Sequence, residues 1–411
     1  MAKLLTFVFF SVVAIQLASC NVDPQIFAPD VELANGRVRG LVENVNGKQV
    51  HVYQGIRYGT AKRFEKPQAV VEKWSPFVYD ATRKPECCSQ YIMPQNESDI
   101  LVQTKVMSED CLYLNVWRPA HHQNSTTTPK LPVLVFLHGG AFTVGSIFSE
   151  YFDGKHIASQ GNVIVVTLAY RLGALGLLYA PGLVPSNLAL YDQRLGLQWI
   201  KQNVAHFGGD PSLVTLAGSS SGSISVGIHI LSPLSAGLFK RAILLAGAPN
   251  SDLVKSPQTA LAATKELVFR LNCSSSAAEE PSSSSIACLR RKSAEEISNG
   301  IGLNHMLDGV LFWPVYGDEN LPTMPGIALK EGKFNRNIDV LYGVSDREGS
   351  YFAAQALPKL LSEHANLTVA STRADIADLV TKIWKKDYAK EVVDFYTGDL
   401  VNCLKVSEEE L

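Results

Sequence analysis

The fold is decided by one stretch of sequence, Phe207-Gly208-Gly209-Asp210-Pro211-Ser212-Leu213-Val214-Thr215-Leu216-Ala217-Gly218-Ser219-Ser220-Ser221-Gly222. Residues 213–217 form an apolar, partly β-branched run that predicts a buried strand, and residues 223–231 predict a helix. The pattern Gly-x-Ser-x-Gly lies between them. A strand, a sharp turn and a helix around this pattern are typical of a nucleophile elbow.

Ser220 is the central serine of that pattern and our candidate nucleophile. Glycines on both sides lack a Cβ atom, so the strand and helix can approach closely while the serine adopts a strained backbone conformation. We expect the Ser220 hydroxyl at the top of the sheet and the Ser221 N–H directed at a developing oxyanion. The alternative is a serine-rich loop without catalytic function, because glycine and serine are common in turns.

The run from Phe207 to Gly222 resembles the nucleophile signature of the type-B carboxylesterase and cholinesterase family. Ser108-Glu109-Asp110-Cys111-Leu112-Tyr113-Leu114-Asn115-Val116-Trp117 is similar to the second signature of that family. The resemblance covers about residues 31–396 and implies an α/β-hydrolase fold, with a large, mostly parallel central sheet covered by helices. The alternation of predicted strands and helices favours the same architecture.

Composition and the N-terminus indicate a secreted globular protein. The chain has 411 residues, of which 46% are hydrophobic and 18% charged, with a formal net charge of −2, so nothing suggests a nucleic-acid partner. Residues 1–20 carry Lys3 and then an apolar run, which predicts a signal peptide rather than a membrane span. A bacterial lipoprotein box ending at Cys20 is the competing interpretation. We expect one hydrolase domain over residues 21–411.

Two further features predict an extracellular location. Four asparagines stand in glycosylation acceptor triplets, and they are Asn96, Asn124, Asn272 and Asn366. If Cys20 leaves with the signal peptide, six cysteines remain for an oxidising compartment. The family resemblance implies the disulfides Cys88–Cys111 and Cys273–Cys288. A Cys87–Cys111 bond is the open alternative to the first. Residues 274–285 are serine-rich and predict a surface loop.

A glycine pair follows another predicted strand. Residues 131–137 are apolar and lead into His138-Gly139-Gly140-Ala141-Phe142. This run resembles the oxyanion loop of the family, which implies that the N–H groups of Gly140 and Ala141 join that of Ser221. The alternative is a plain tight turn. By its position His138 supports the loop and is not assigned to catalysis. The resemblance also pairs Glu109 with Arg63 in a structural ion pair.

Glu348 is the candidate acid of the catalytic triad. It follows the predicted strand 338–344, where the resemblance places the triad carboxylate, and it would orient a histidine and stabilise its imidazolium form. The alternative is a solvated turn with Asp346. His364 is the single histidine after Glu348, and its helix-like context without a preceding glycine does not fit the base.

The tail from residue 399 also departs from the family pattern. We therefore expect a truncated product in which the final strand and the catalytic-histidine region are missing and Cys403 has lost its partner. The strand carrying Tyr342 would then be an exposed edge, and residues 1–411 expressed alone would aggregate or be retained in the cell. A soluble monomer with native-like melting would contradict this expectation.

The implied function is serine hydrolysis of a small-molecule carboxylic ester through an acyl-enzyme, with no metal or organic cofactor. Choline esters fit less well, because Leu101 stands where cholinesterases carry a cation-stacking tryptophan and Ser219 where the family often has glutamate. The alternatives are an acetylcholinesterase-like enzyme, a bacterial lipoprotein esterase, and a non-catalytic adhesion protein. The oligomeric state is left open.

Overall fold

The computed structural model describes residues 26–92, 106–120, 129–301, 312–346, 348, 369–384 and 389–397. The strands are β1 (Val31–Leu33), β2 (Gly36–Arg39), β3 (Leu41–Val45), β4 (Lys48–Arg57), β5 (Gly59–Thr60), β6 (Gln68–Ala69), β7 (Tyr79–Asp80), β8 (Cys87–Cys88), β9 (Met107–Ser108), β10 (Tyr113–Pro119), β11 (Leu131–Leu137), β12 (Ile164–Leu168), β13 (Gly209–Ser219), β14 (Arg241–Leu245) and β15 (Asp339–Gly343). The α-helices are α1 (Lys155–Gly161), α2 (Gly173–Leu177), α3 (Leu188–Asn203), α4 (Ser221–Leu231), α5 (Pro257–Arg270), α6 (Ser283–Arg291), α7 (Ala294–Gly300), α8 (Pro325–Lys330), α9 (Val369–Trp384) and α10 (Ala389–Thr397).

Eight strands form the central sheet, in the order β15-β14-β13-β11-β12-β10-β4-β3. The first five of these are mutually parallel, whereas β10, β4 and β3 pair antiparallel. Helices connect the parallel strands, with α1 between β11 and β12, α3 before β13 and α4 after it. The sequence prediction of a large, mostly parallel sheet is therefore confirmed.

The antiparallel edge begins as a hairpin. Asn46 and Gly47 join β3 to β4 with φ of 51° and 81°, and two positive φ values match the right-handed twist of the flanking strands. An asparagine followed by a glycine is the sequence pattern that favours such a turn. This N-terminal hairpin forms one edge of the sheet.

A buried ion pair that the sequence reasoning missed anchors α3. Asp192 accepts hydrogen bonds from Arg171 Nε at 2.8 Å and from Nη2 at 2.7 Å, and both side chains are almost fully buried. The Arg171 Nη1 also donates to the Glu65 carbonyl at 2.9 Å. Removing one partner of such a pair typically costs about 3–5 kcal/mol, because the other charge is left buried without compensation. This pair therefore ties the loop after β12 to α3 and to the segment around Glu65.

Two disulfides link the loops around the sheet. The structure joins Cys88 to Cys111 and Cys273 to Cys288, the pairs that the family resemblance implied. Cys87 is a buried free thiol, so the alternative Cys87–Cys111 bond is not formed. The serine-rich stretch between Cys273 and Cys288 differs from its prediction as a loop, because α6 begins inside it. Ser282 caps that helix and accepts from the Ser285 N–H.

The expected ion pair between Arg63 and Glu109 is present. The Arg63 Nε lies 2.9 Å from one Glu109 oxygen and 3.1 Å from the other. Arg63 Nη1 also donates to the carbonyls of Leu289 and Arg290, both at 3.2 Å, at the end of α6. A cation at the last carbonyls of a helix complements its dipole. The pair thus has the structural role expected of it.

β15 is the outer strand of the parallel half of the sheet. Its apolar side chains Val340, Leu341 and Tyr342 are 54%, 63% and 56% exposed. Successive residues of a strand point to opposite faces, so both faces of β15 are largely uncovered in the ranges that the structure describes. Tyr342 thus lies on the outer strand of the sheet that the structure describes, and an exposed apolar edge strand is a template for pairing with another chain.

We expect Leu341→Lys to reduce self-association of the protein, because a charge on an edge strand opposes strand addition. The measurement is sedimentation velocity over a tenfold range of protein concentration. Leu329→Lys is the matched control, since Leu329 is a 40% exposed leucine on α8 rather than on the edge strand. Equal association of both variants and the wild type would contradict a role of the edge.

Candidate active site

Ser220 occupies a strained turn between β13 and α4. Its φ is 54° and its ψ is −121°, a conformation that is uncommon outside glycine and that recurs at functional sites. The Ser220 N–H donates to the Leu245 carbonyl at 2.9 Å, and the residue is exposed. The strand, turn and helix predicted around the Gly-x-Ser-x-Gly pattern are therefore present, with the helix starting two residues earlier than predicted.

The glycines on either side of Ser220 are required by space. A Cβ atom on Gly218 would lie 2.4 Å from the Gly222 carbonyl oxygen, and one on Gly222 would lie 2.2 Å from the Leu137 oxygen. Real Cβ atoms do not approach backbone atoms so closely, so any other residue would force the strand and helix apart. The pattern at residues 218–222 is consequently a packing requirement as well as a sequence signature.

The glycine loop after β11 lies against Ser220. Leu137 pairs with Gly218 in the parallel register of β11 and β13, so both strands end at the same edge. A Cβ on Gly139 would lie 2.9 Å from the Ser219 oxygen and 3.1 Å from the Ser220 Cβ. The chain leaves β11 toward β12 on one side and leaves β13 toward β14 on the other. Such a switch point opens a crevice at the carboxyl ends of the strands.

Three consecutive positive φ values shape this glycine loop. They are 117° at Gly140, 55° at Ala141 and 55° at Phe142. The Gly140 carbonyl accepts from the N–H groups of Thr143 at 2.9 Å and Val144 at 3.0 Å, so it is turned away from the crevice. Within the described ranges, the N–H groups of Gly140, Ala141 and Ser221 have no hydrogen-bond acceptor. These are the N–H groups that the family resemblance predicted as oxyanion donors.

His138 braces the loop from below. Its Nδ1 lies 2.9 Å from the Gly139 carbonyl oxygen, which can only accept, so Nδ1 carries the proton. The ring stacks on Tyr170 with 4.5 Å between centroids, and the Tyr170 hydroxyl donates to the His138 carbonyl at 2.7 Å. Burial lowers the pKa of His138 to about 4, so the ring is neutral at pH 7. The supporting role expected for His138 agrees with this geometry.

Gln90 holds the far end of the same loop, which the sequence did not suggest. Its Oε1 accepts from the Gly145 N–H at 2.7 Å, and its Nε2 donates to the Gly145 carbonyl at 3.0 Å. The same Nε2 donates to the Cys88 carbonyl at 3.0 Å. Because Cys88 is bonded to Cys111, the disulfide and the glycine loop form one connected unit. The only available signal was the closeness of Gln90 to the cysteines.

Glu348 lies on the turn after β15, at the same edge of the sheet as Ser220. It is exposed, and its Oε1 accepts from the Ser345 N–H at 2.9 Å. The Ala246 N–H donates to the Gly343 carbonyl at 2.8 Å, which ties this turn to the loop after β14. No histidine among the described residues is hydrogen-bonded to Glu348. Its role as the triad acid stays a prediction.

Several other predicted residues can be placed only in part. Asn272 is exposed, with a φ of 54°, and it precedes the Cys273–Cys288 disulfide. The predicted signal peptide, Leu101, His364 and Cys403 lie outside the described residues, as do the acceptors Asn96, Asn124 and Asn366. In the ranges that the structure describes, no helix is both long and apolar enough to span a bilayer.

A strained serine beside a glycine loop, at the carboxyl ends of parallel strands, defines an α/β-hydrolase. Residues 28–409 match the Carboxylesterase family, and the chain belongs to that family. The family expected from the two sequence signatures is thus confirmed, and so is its fold.

The chain is similar to cholinesterases and acetylcholinesterases of other organisms. It is 37% identical over 380 residues to Cholinesterase of Mus musculus, covering 89% of this chain and 60% of the relative. It is 33% identical over 368 residues to Acetylcholinesterase of Leptinotarsa decemlineata, covering 82% and 56% respectively. Acetylcholinesterase-1 of Trittame loki is 32% identical over 398 residues, covering 92% and 69%. The chain thus spans about 60% of the first relative's length.

The free energy of unfolding should decrease as the pH is lowered, because the buried imidazole of His138 resists protonation in the folded state. Its folded pKa is about 4 against roughly 6.5 when unfolded, so between these values the unfolded state binds the extra proton. Stability is full above pH 6.5 and should fall by about 1.4 kcal/mol per pH unit toward pH 4. Urea denaturation at several pH values measures this slope.

His138→Asn is the variant that isolates this contribution to the pH dependence. Its amide nitrogen can still donate to the Gly139 carbonyl, but it does not titrate. The variant should therefore lose about one proton from the slope of unfolding free energy against pH. Parallel slopes for the variant and the wild type would show that His138 takes up its proton equally well in both states.

Proposed function

We propose that this protein hydrolyses carboxylic esters through a covalent acyl intermediate on Ser220. The observation that carries the proposal is the convergence of two loops. One presents Ser220 on a strained turn with φ of 54°, and the other places Gly139 against it. The N–H groups of Gly140, Ala141 and Ser221 have no acceptor among the described residues. A nucleophile beside backbone donors is the arrangement that acyl transfer requires.

In the proposed reaction the Ser220 Oγ attacks the ester carbonyl carbon. The carbonyl π electrons move to oxygen, and the resulting oxyanion accepts hydrogen bonds from Gly140, Ala141 and Ser221. When the tetrahedral intermediate collapses, the C–O bond breaks and the alcohol leaves with a proton. Water then attacks the acyl-Ser220 by the same route, releasing the acid and restoring the hydroxyl. One donor of this kind typically contributes 10²–10³ in rate.

Proton transfer is the step that needs groups beyond Ser220. A serine is a weak nucleophile unless a base takes its proton, and in this fold the base is a histidine oriented by a carboxylate. We assign the carboxylate to Glu348, which follows β15 at the edge that also carries Ser220. We assign no histidine of residues 1–411 to the base. His138 is not assigned to the base, because its ring is buried and stacked on Tyr170, where it supports the loop.

We propose an uncharged carboxylic ester as the substrate, in preference to a choline ester. The names of the relatives connect those proteins with choline esters. This chain has Leu101 at the position where the resemblance places a cation-stacking tryptophan. A quaternary ammonium without an aromatic face loses an attraction of about 0.5–2 kcal/mol. The acetylcholinesterase-like alternative predicts instead that a choline ester occupies the site better than a neutral ester.

A fluorophosphonate probe tests the nucleophile, because it reacts with an activated serine and mimics acyl transfer. Because oxyanion donors alone retain part of the rate enhancement when a triad member is missing, we expect slow labelling of the wild type and none of Ser220→Ala. Ser219→Ala is the matched control, since it removes the neighbouring hydroxyl and should leave labelling in place. Peptide mass spectrometry locates the adduct. Folded protein that stays unlabelled would favour the non-catalytic binding role instead.

Protection from labelling distinguishes the two ester classes. Preincubation with a neutral butyrate ester should slow labelling of Ser220 more than an equal concentration of butyrylcholine. The opposite order would favour the choline-ester alternative.

We further propose that the protein is secreted and glycosylated. The predicted signal peptide over residues 1–20 and the acceptor triplets support this, and so do the two disulfides, which persist in oxidising compartments. Asn272 is an exposed residue on the turn after α5, so an enzyme could reach it.

Secretion and the Asn272 glycan are tested together in cultured eukaryotic cells. The protein should be found in the medium, and Asn272→Gln should lower its intact mass by one glycan. Ser274→Ala keeps the asparagine but destroys the acceptor triplet, and it should give the same loss. An unchanged mass in both variants, or a mature chain that begins at a lipidated Cys20, would contradict the proposal.

A further inference from the structure

A buried chain of hydrogen bonds leads from α3 to the helix behind Ser220. It consists of five polar side chains or backbone groups that are at most 1% exposed, namely those of Ser235, His229, Gln193, Ser225 and Ser221. The distances along it are 2.8 Å, 2.9 Å, 3.1 Å and 3.1 Å. These contacts join two helices rather than strands of the sheet, because Gln193 lies on α3 and Ser225 on α4.

The direction of each hydrogen bond in this chain follows from chemistry. The Gln193 Oε1 can only accept, so His229 Nε2 carries the proton and donates to it. The His229 Nδ1 is then an acceptor for the Ser235 hydroxyl. At the other end the Gln193 Nε2 donates a hydrogen bond to Ser225 Oγ, and the Ser225 hydroxyl donates to the Ser221 carbonyl. All four bonds point toward Ser221, and bonds aligned in this way polarise one another.

The neutral state of His229 keeps this order in place. Burial lowers the pKa of His229 to about 3, and the charge of Arg194 adds to the effect. A protonated ring would carry a hydrogen on Nδ1 and could no longer accept from Ser235. The two groups hydrogen-bonded to His229, Gln193 and Ser235, are uncharged, and Arg194 is a charged group that acts on the ring from nearby. At neutral pH the chain therefore has one arrangement of protons.

The chain of hydrogen bonds ends at Ser221, which carries one of the proposed oxyanion donors. Ser221 is the first residue of α4, and its N–H has no intrahelical acceptor. On the other side of the same turn, the Ser223 hydroxyl donates to the Gly247 carbonyl at 2.7 Å. The first turn of α4 is thus held from two directions, by α3 through Gln193 and Ser225 and by the loop after β14 through Ser223.

We propose that Gln193 is a positioning residue for the reaction at Ser220, acting through Ser225 on the Ser221 carbonyl to hold the first turn of α4, and with it the Ser221 N–H that meets the oxyanion. The inference rests on the proposed function and adds residues that touch neither the substrate nor the nucleophile. A donor loses most of its effect when its angle to the acceptor falls toward 120°. Catalytic groups must be held within about 0.5 Å of their productive positions.

Two variants break the chain at different links. Ser225→Ala removes the last hydroxyl. Gln193→Glu keeps the size of the side chain, and its carboxylate still accepts from His229, but it cannot donate to Ser225. The Ser225 hydroxyl would then turn toward the carboxylate and release the Ser221 carbonyl. The matched control is Ser159→Ala on α1, which also removes a buried serine hydroxyl bonded to a carbonyl of the preceding turn, that of His156 at 3.0 Å.

The experiment measures fluorophosphonate labelling of the full chain as a function of probe concentration. Ser225→Ala and Gln193→Glu should each lower the maximal labelling rate about tenfold, which is less than the loss of a whole oxyanion donor. The half-saturating probe concentration should stay unchanged. Ser159→Ala should label like the wild type even if its melting temperature falls. Equal maximal rates for Ser225→Ala and Ser159→Ala would overturn the proposal.

Hydrogen exchange gives a second readout that does not depend on catalysis. Amides of residues 221–225 should exchange faster in Ser225→Ala and Gln193→Glu than in the wild type or Ser159→Ala. If the wild type is not labelled, the proposed function fails, and the exchange data alone decide whether the chain positions this turn. Exchange that is unchanged in both chain variants would overturn the inference whatever the labelling result.

Discussion

β11 and β13 run side by side in the same direction, with Leu137 opposite Gly218, and every feature of the candidate site depends on this pairing. Because the strands are parallel, their carboxyl ends meet at one edge, and the loops that follow them emerge together. The connection after β11 leads to β12 on one side, and the one after β13 leads to β14 on the other. The crevice between those loops is where Ser220 and Gly139 come into contact.

The closeness of the two loops is possible only without side chains between them. Gly139 faces the Ser219 carbonyl, Gly218 faces Gly222, and Gly222 faces the end of β11. Each would place a Cβ atom within 3 Å of backbone, a distance at which the backbone has to move. The same glycines that mark the motif in sequence therefore set the separation between the nucleophile and the loop that would bind the oxyanion.

Around this close contact, buried polar groups hold the loops in their strained conformations. His138 and Tyr170 brace the glycine loop from below, while Gln90 joins its far end to the Cys88–Cys111 disulfide. Buried polar groups are costly unless they are hydrogen-bonded, so each satisfied pair favours one arrangement over its neighbours. Asp192 extends the same principle to α3, where it anchors Arg171 next to Gln193. Rigidity at the site is thus supplied by residues that do not face it.

The sequence by itself determined the local elements, the family and the candidate nucleophile. Apolar runs predicted β11 and β15 to within one residue, since strand formation depends on neighbouring side chains. Tertiary structure alone decided which distant groups meet, such as Gln90 with Gly145 and Gln193 with His229. The physical reason is that a polar residue inside an apolar helix shows that it needs a partner, but periodicity does not say which one. That choice depends on how the helices and loops pack on the sheet.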